Sequence, residues 1–337
     1  MWVALSQAEM RYGLFVSAQY PENADLGRIL HEHLEQVRFA ADNGFSSVFA
    51  GQHFLSTPFQ MLQPVPLLAR LAAESGDLRV GCGILLAALL NPVELAEQAA
   101  TLDVICDGRF VLGVGLGYRA EENLAFGVTS RRARVLESKL DVVRRLLEGE
   151  RVTAEGPGYR LEDAAIGVRP IAEPRPPIWM AANSDAAVKR AARVADTWFA
   201  NPHVTVEELQ RQLDFFRQER GSAPTELPAM REVCVRRTDD EAIDVARPFL
   251  DNKYKSYVSW GQSEALPPTD TLRRNWDELR MNRFIIGSPE TAIDQVRHHR
   301  NDLGIDHLVF RLQWPGLPHM EAMETLRWLV GEVIPAV

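Results

Sequence analysis

Strand-like apolar runs alternate with helical runs eight times along this 337-residue chain. The predicted strands are 11–17, 45–51, 78–86, 109–115, 177–182, 196–200, 230–236 and 305–313. The helices predicted to follow them are 26–43, 64–75, 92–105, 132–147, 185–194, 206–220, 239–250 and 319–333, with an extra helix at 289–301. Alternating strands and helices indicate a parallel sheet, and eight such units favour a closed (β/α)8 TIM barrel over an open doubly wound sheet.

Two segments interrupt the alternation. Residues 150–177 contain three glycines and five prolines and are predicted to be a crossing loop, inserted after the fourth strand and its helix. Residues 251–287, after the seventh strand, mix basic and aromatic side chains in no clean period. We expect this second insertion to be a mobile lid at the catalytic end, open to trypsin at Lys253, Lys255, Arg273 and Arg274. The chain is predicted to be a single domain over residues 1–337.

Charge and cysteine content narrow the classes of partner. Lys and Arg total 37 against 46 Asp and Glu, which gives a net charge of −9 and argues against nucleic-acid binding. Cys82, Cys106 and Cys234 form no CxxC pair, so neither a disulfide framework nor a cysteine-ligated metal site is expected. No export signal or membrane-spanning run is visible. We therefore expect a cytoplasmic enzyme that acts on small molecules without a metal.

In a barrel of this type the active site lies at the carboxyl ends of the strands. His53 comes two residues after the second predicted strand, where an imidazole suits proton transfer, although a loop histidine bonded to backbone is an equally good interpretation. The glycines at 83, 113, 115 and 117 near the ends of strands three and four favour a flat floor for a planar ring.

The fifth predicted strand opens directly into a helix. It ends at Ala182, Asn183 and Ser184, and the free N–H groups of the next helical turn suit a phosphate. A plain helix cap at Asn183 or Ser184 is the commoner arrangement. Arg134, at the start of the fourth helix, is expected either to pair with that phosphate or to form a surface salt bridge.

A family resemblance rests on five segments: GFSSVFAGQHF, RVGCGILLAALLNPVELAEQAATLDVICDGRFVLGVGLGY, ENLAFG, PRPPIWMAANS and GSPETAIDQV. Together they resemble the bacterial luciferase-like family of flavin-dependent monooxygenases, over about residues 11–337. The resemblance implies a (β/α)8 barrel with an insertion after the seventh strand. It also implies reduced FMN (FMNH2) or, alternatively, a deazaflavin as cofactor, and a homodimer.

The resemblance assigns roles to individual residues. His53 falls at the position of the family's catalytic histidine, and Gly83 with Ile84 matches a non-proline cis peptide behind the flavin ring. Leu116 stands where the luciferase α subunit has an arginine, and Gln52 and Phe54 also depart from the family's Glu-His-His run, so aldehyde oxidation and light emission are not expected. The implied cofactor-binding residues are Gly83, Ile84, Gly115, Leu116, Arg134, Ala182, Asn183 and Ser184.

Three functions are compatible with these features. The first is a two-component monooxygenase that takes FMNH2 from a separate flavin reductase and uses O2 on a small, largely apolar organic substrate. The second is a deazaflavin-dependent dehydrogenase or reductase that transfers hydride without oxygen. The third is a flavin-binding protein without turnover, against which His53 counts. The sequence does not separate the first two.

Overall fold

The computed structural model describes residues 10–16, 19–224 and 226–337. Its strands are β1 (Arg11–Phe15), β2 (Gln19–Tyr20), β3 (Ser47–Ala50), β4 (Gln60–Met61), β5 (Arg79–Cys82), β6 (Phe110–Val114), β7 (Val152–Gly156), β8 (Tyr159–Ala164), β9 (Ile178–Ala182), β10 (Thr197–Ala200), β11 (Pro228–Val235), β12 (Ile285–Gly287) and β13 (His307–Arg311). Its α-helices are α1 (Leu26–Asp42), α2 (Pro64–Ala72), α3 (Pro92–Ile105), α4 (Ala120–Ala125), α5 (Arg132–Leu147), α6 (Asp185–Val194), α7 (Val206–Arg220), α8 (Asp239–Ser259), α9 (Trp276–Arg280), α10 (Pro289–Asn301) and α11 (His319–Trp328).

Eight parallel strands close into a barrel in the order β1, β3, β5, β6, β9, β10, β11, β13. The ring is completed by the pairing of Gly13 with Val309 on one side of β13 and of Ala229 with Leu308 on the other. β12 extends β11 outside the ring, and β2 with β4 and β7 with β8 form two small antiparallel pairs. The (β/α)8 barrel predicted from the alternation is confirmed.

Two apolar layers stabilise the barrel. The larger layer lies between the strands and the surrounding helices, which explains why the strands are apolar on both faces. The smaller layer fills the barrel interior with aromatic side chains, among which Phe49 stacks on Trp179 with ring centroids 5.3 Å apart. This inner layer lies below the strand ends and supports the residues that follow them.

A buried carboxylate closes the amino-terminal side of the inner layer. Glu226 accepts two hydrogen bonds from Arg79, at 2.7 and 3.1 Å, and one from the indole N–H of Trp179 at 3.0 Å. Arg11 lies 3.0 Å from the same carboxylate. Burial alone would raise the pKa of Glu226, but its contacts with His307, Arg79 and Arg11 outweigh that effect and hold it at about 2.

The two interrupting segments contain more regular structure than their sequences predict. Residues 150–177 are not simply a crossing loop, because they contain the β7–β8 hairpin, whose tight turn includes Gly158 at a φ of 79°. The predicted helix 239–250 continues to Ser259, so the first nine residues of the 251–287 insertion are helical. Lys253 on this extension is buried and forms an ion pair with Glu232, so it is not an accessible trypsin site.

Candidate active site

A cavity of about 400 Å³ opens at the carboxyl ends of the barrel strands. Every barrel strand, or the loop that follows it, supplies at least one residue to its wall. Gln262, Glu264 and Ala265, from the insertion after the seventh strand, complete the rim. This is the end of the barrel at which the sequence places the active site.

His53 is held at the cavity wall by a buried carboxylate. Its Nδ1 lies 3.0 Å from Oε1 of Glu122, and the backbone N–H of Phe54 donates to the same oxygen at 2.8 Å. Glu122 is fully buried on the short helix α4. A carboxylate bonded to Nδ1 fixes that nitrogen as the protonated one and leaves Nε2 with its lone pair for the cavity.

Aromatic rings surround the His53 imidazole. Tyr118 meets it edge-on with centroids 5.6 Å apart, and Trp260, from the insertion, lies 5.5 Å away. The Arg119 guanidinium stacks over the Trp260 ring at 4.3 Å. The Tyr118 hydroxyl oxygen is buried without a hydrogen-bond partner in the described part of the chain, and burial, then Tyr257 and Glu122, raises the pKa of this phenol well above its usual range. Tyr118 therefore presents a neutral hydroxyl.

The cavity floor is made of small residues and one isoleucine. A Cβ added to Gly115 would come within 2.5 Å of the Ile84 side chain, and one added to Gly83 within 2.7 Å of Phe15. The Gly83–Ile84 peptide is cis, which confirms what the resemblance implies for this pair. The absence of a side chain at Gly115 therefore leaves room for Ile84, and its absence at Gly83 leaves room for Phe15.

The loop after β9 forms one end of the cavity. Ala182, Asn183 and Ser184 all line it, and the Ser184 hydroxyl makes no capping hydrogen bond to the first turn of α6. Asp185, the first residue of that helix, is paired with Arg211 at 2.7 Å, which offsets its negative charge. With no side-chain cap and with the charge of Asp185 offset, the start of α6 is compatible with an anionic group, although the N–H of Ala187 already donates to the carbonyl oxygen of Ser184 at 2.9 Å.

The structure places a different arginine at the cavity wall from the one that the sequence suggests. Arg134 is exposed and does not line the cavity. Arg132, two residues earlier, does line it and donates to the carbonyl oxygen of Gly117 at 3.0 Å. Because successive residues of an α-helix are rotated by about 100°, a shift of two positions turns a side chain to nearly the opposite face.

Basic groups cluster at the other end of the cavity. Arg311, the last residue of β13, is buried, and His203, after β10, is half-buried; both line the wall. Burial, then the positive charges of Lys253 and Arg311, lowers the pKa of His203 well below its usual range, so its imidazole is neutral. Burial also lowers the pKa of Lys253 to about 7, with Arg311 acting in the same direction and Glu232 against it.

Most of the predicted site residues meet in this one cavity. They are His53, Gly83, Ile84, Gly115, Leu116, Ala182, Asn183 and Ser184. Four residues of the site were not predicted from the sequence: Glu122, Arg132, His203 and Arg311. The acidic pair just beyond the fourth strand was a signal that could have identified Glu122, since a carboxylate at a strand end faces the catalytic mouth.

In residues 10–16, 19–224 and 226–337, no group of three or more His, Cys, Asp or Glu side chains is placed to hold a metal ion. The helices of the same ranges are all too short or too polar to cross a membrane.

The fold and the cavity define a (β/α)8 barrel enzyme with a carboxylate-anchored histidine at the mouth of the barrel. The sequence model of the luciferase-like monooxygenases matches residues 10–307, and the chain belongs to that family. It is therefore a flavin-type oxidoreductase, as the family resemblance implies.

The relatives of this chain include both coenzyme-F420-dependent and flavin-dependent enzymes. A coenzyme-F420-dependent glucose-6-phosphate dehydrogenase from Nakamurella multipartita is 28% identical, over 96% of this chain and 98% of the relative. The oxygenase component of a flavin-dependent trigonelline monooxygenase from Acinetobacter baylyi is 23% identical, over 97% of this chain and 95% of the relative. Among solved structures, monooxygenase RslO1 from Streptomyces bottropensis has the same fold, with a TM-score of 0.84 at 22% identity over 97% of this chain and 99% of that one.

Proposed function

We propose that this chain is the oxygenase component of a two-component monooxygenase, which receives FMNH2 from a separate flavin reductase and uses O2 to oxidise a small, largely apolar organic substrate. The observation that carries the proposal is the buried Glu122 that holds His53 across the cavity from a floor of glycine and isoleucine. The naming of the Acinetobacter baylyi relative as an oxygenase component supports a separate reductase.

The floor fits a planar tricyclic ring. Because Gly115 has no side chain, Ile84 can pack against the floor. A Cβ at position 115 would collide with the Ile84 side chain and displace it. Ala181 and Ala182 continue the same surface with small side chains. A flavin ring would lie on this surface with Ile84 behind it, and bound reduced flavin would supply the two electrons that activate O2.

The end of the cavity at β9 fits the phosphate of FMN. Asn183 and Ser184 line it beside the first turn of α6, and Arg132 supplies a positive charge on the facing side. Helix N-termini and guanidinium groups are both favourable partners for a phosphate. These residues would bind and orient the cofactor, and they take no part in proton transfer.

We assign proton transfer in the cavity to the imidazole of His53. Its Nδ1–H is committed to Glu122, so Nε2 is the atom that takes up or returns a proton inside the cavity. The neutral Tyr118 hydroxyl, which has no partner among the described residues, would be free to donate a hydrogen bond to a bound molecule without carrying charge. Trp260 covers the imidazole on the side of the insertion, which restricts water at this nitrogen.

A deazaflavin-dependent dehydrogenase is the second candidate, and the identity to a coenzyme-F420-dependent dehydrogenase over nearly the whole chain favours it. A cofactor with more negative charges than FMN would call for several cations at the mouth. The guanidinium groups lining the cavity, among the described residues, are Arg132 and Arg311, and Glu264 adds a negative charge at the rim. This charge pattern favours the single phosphate of FMN.

The test is a parallel titration of the purified protein with FMNH2 under anaerobic conditions, FMN and the deazaflavin coenzyme. We expect FMNH2 to bind at least tenfold more tightly than the deazaflavin. Stopped-flow mixing of the FMNH2 complex with O2 should then give an oxidation rate different from that of free FMNH2, and His53→Gln should change this rate while leaving FMNH2 affinity within threefold. Tight deazaflavin binding together with weak FMNH2 binding would establish the second candidate.

A further inference from the structure

Arg311 is a buried cation at the cavity wall that lacks an acidic partner. It is 7% exposed, and no carboxylate lies within 4.0 Å of its guanidinium in the described part of the chain. By contrast, the equally buried Arg283 is paired with Asp270 at 2.8 Å. Arginine is almost never buried without a compensating charge, so the position calls for a negative group from elsewhere.

The remaining contacts of Arg311 are weak or neutral. Its Nη2 donates to the side-chain oxygen of Gln19 at 3.4 Å, and the Tyr257 hydroxyl is within hydrogen-bonding reach. The guanidinium stacks over Phe15 at 5.1 Å, and its Nε is buried with no hydrogen-bond partner among the described residues. The guanidinium group of Arg311 therefore has N–H groups that can still donate hydrogen bonds.

The nearby carboxylate of Glu232 acts on Arg311 only at longer range. Burial alone would lower the pKa of Arg311, but Tyr257 and this carboxylate together raise it above its usual range, so the guanidinium is charged. The oxygens of Glu232 are themselves bound elsewhere, because Oε1 is paired with Lys253 and Oε2 accepts from the indole N–H of Trp314 at 2.6 Å. Arg311 therefore meets the cavity as a cation without a carboxylate bound directly to it.

Position in the ring separates Arg311 from the proposed cofactor floor. Arg311 ends β13, which is the fourth strand from β6 in either direction and hence lies opposite it. The floor residue Gly115 follows β6 directly, and the phosphate end follows β9. A ring lying on the floor would thus leave Arg311 facing its exposed side, where a substrate would lie.

The geometry points to a substrate that carries a carboxylate on an apolar frame, with the carboxylate paired to Arg311. The planar fork of a guanidinium matches the two oxygens of a carboxylate. Phe15, Phe199, Met230 and Tyr257 surround this part of the cavity and provide the apolar surface for the rest of the molecule. The inference rests on the proposed function only in taking this cavity as the substrate site.

The experiment compares each acid with its amide, so that shape is kept and charge removed. Benzoate, phenylacetate and octanoate, their three amides, and phenyl phosphate are titrated into the wild-type protein by calorimetry, without flavin and again with saturating FMN. We expect at least one acid to bind tenfold or more tightly than its amide. Phenyl phosphate, which carries a tetrahedral anion, should bind more weakly than that acid.

Two variants and a control assign the preference to Arg311. Arg311→Met should weaken the preferred acid at least tenfold and leave its amide and FMN within threefold of wild type, whereas Arg311→Lys should keep part of the preference. Arg134→Met, which removes an exposed arginine outside the cavity, should change none of these values.

Three results would overturn the inference. They are the absence of any preference for an acid over its amide in the wild-type protein, a preference for phenyl phosphate over every acid, and a loss of FMN affinity in Arg311→Met in place of a loss of acid affinity. The wild-type comparison decides the matter even if the variants fold poorly. A failure of FMNH2 to bind would count against the proposed monooxygenase and would leave the acid preference unaffected.

Discussion

Replacing Glu226 with glutamine should destabilise the barrel by an amount that depends on pH. The carboxylate is buried and accepts hydrogen bonds from Arg79 and Trp179, with Arg11 3.0 Å away. Its pKa of about 2 lies some 2.5 units below the ordinary glutamate value of 4.5. At about 1.4 kcal/mol per unit, the ionised form contributes roughly 3 kcal/mol to the free energy of unfolding. Glutamine keeps the volume, loses the charge and turns an N–H group towards Arg79.

The sign of the pH dependence follows from the depressed pKa. The unfolded chain binds a proton near pH 4.5 and the folded chain near pH 2, so the stabilisation is complete above pH 4.5 and is lost as the pH falls towards 2. Glu226→Gln has no proton to bind at this site. The difference between the two proteins should be about 3 kcal/mol at pH 7 and should shrink below pH 4.5, by at most about 1.4 kcal/mol per pH unit.

Reversible urea unfolding at several pH values between 7 and 3 measures this difference, with tryptophan fluorescence as the signal, because Trp179 touches the carboxylate. Glu74→Gln is the matched control, since Glu74 also binds two arginines, Arg38 and Arg70, but at the surface. It should change stability little at any pH. A Glu226→Gln difference below about 1 kcal/mol at pH 7, or one that stays constant down to pH 3, would refute the reasoning.

Three further predictions concern the cavity. His53→Ala should lower turnover by about 100-fold with the fold and FMNH2 affinity kept, and steady-state kinetics with turnover within twofold of wild type would remove its catalytic role. Arg132→Ala should weaken FMN binding by about 1.5 to 3 kcal/mol in calorimetry, with much less effect on riboflavin, while Arg134→Ala should have no effect on either. Trypsin should cut the insertion after Arg273 or Arg274, which are exposed, and FMN should slow the cut; digestion with mass mapping that finds no cleavage there would show that the insertion is not a lid.

The sequence predicts the barrel well because its strands are buried on two faces. Each barrel strand packs on the inner aromatic layer and on the helices, so it is a short, nearly continuous apolar run that is easy to find. The runs 45–51 and 109–115 contain β3 and β6 almost entirely. Where the chain leaves a strand early, as at Cys82, apolar residues that line the loop extend the predicted strand too far.

The structural features that the sequence did not predict have separate physical causes. Helix α4 is only six residues long, too short for periodicity to show, and its Glu122 is a buried charge that sequence patterns normally place at the surface. The extension of α8 beyond residue 250 was missed because basic and aromatic side chains follow there in no clean period and because Lys253 occupies an inward position. In both cases the partner that makes burial possible, His53 or Glu232, is distant in sequence.

The start of α5 decides which arginine reaches the cavity. Arg131, just before the helix, has a φ of 50°, and this left-handed residue sets the direction in which the first turn begins. The predicted helix 132–147 has the same bounds as α5, so the choice of Arg134 came from its place near the helix start and from the family resemblance, and not from an error in the helix ends.

The closed amino-terminal side of the barrel has a kinetic consequence. Below the cavity, the described residues Phe49 and Trp179 and the Glu226 cluster fill the space through which a molecule would otherwise pass. All reactants and products consequently share the opening at the strand ends. A molecule that lies on the floor must enter before any molecule that covers it and must leave after it, so the order of binding and release is set by depth in the cavity.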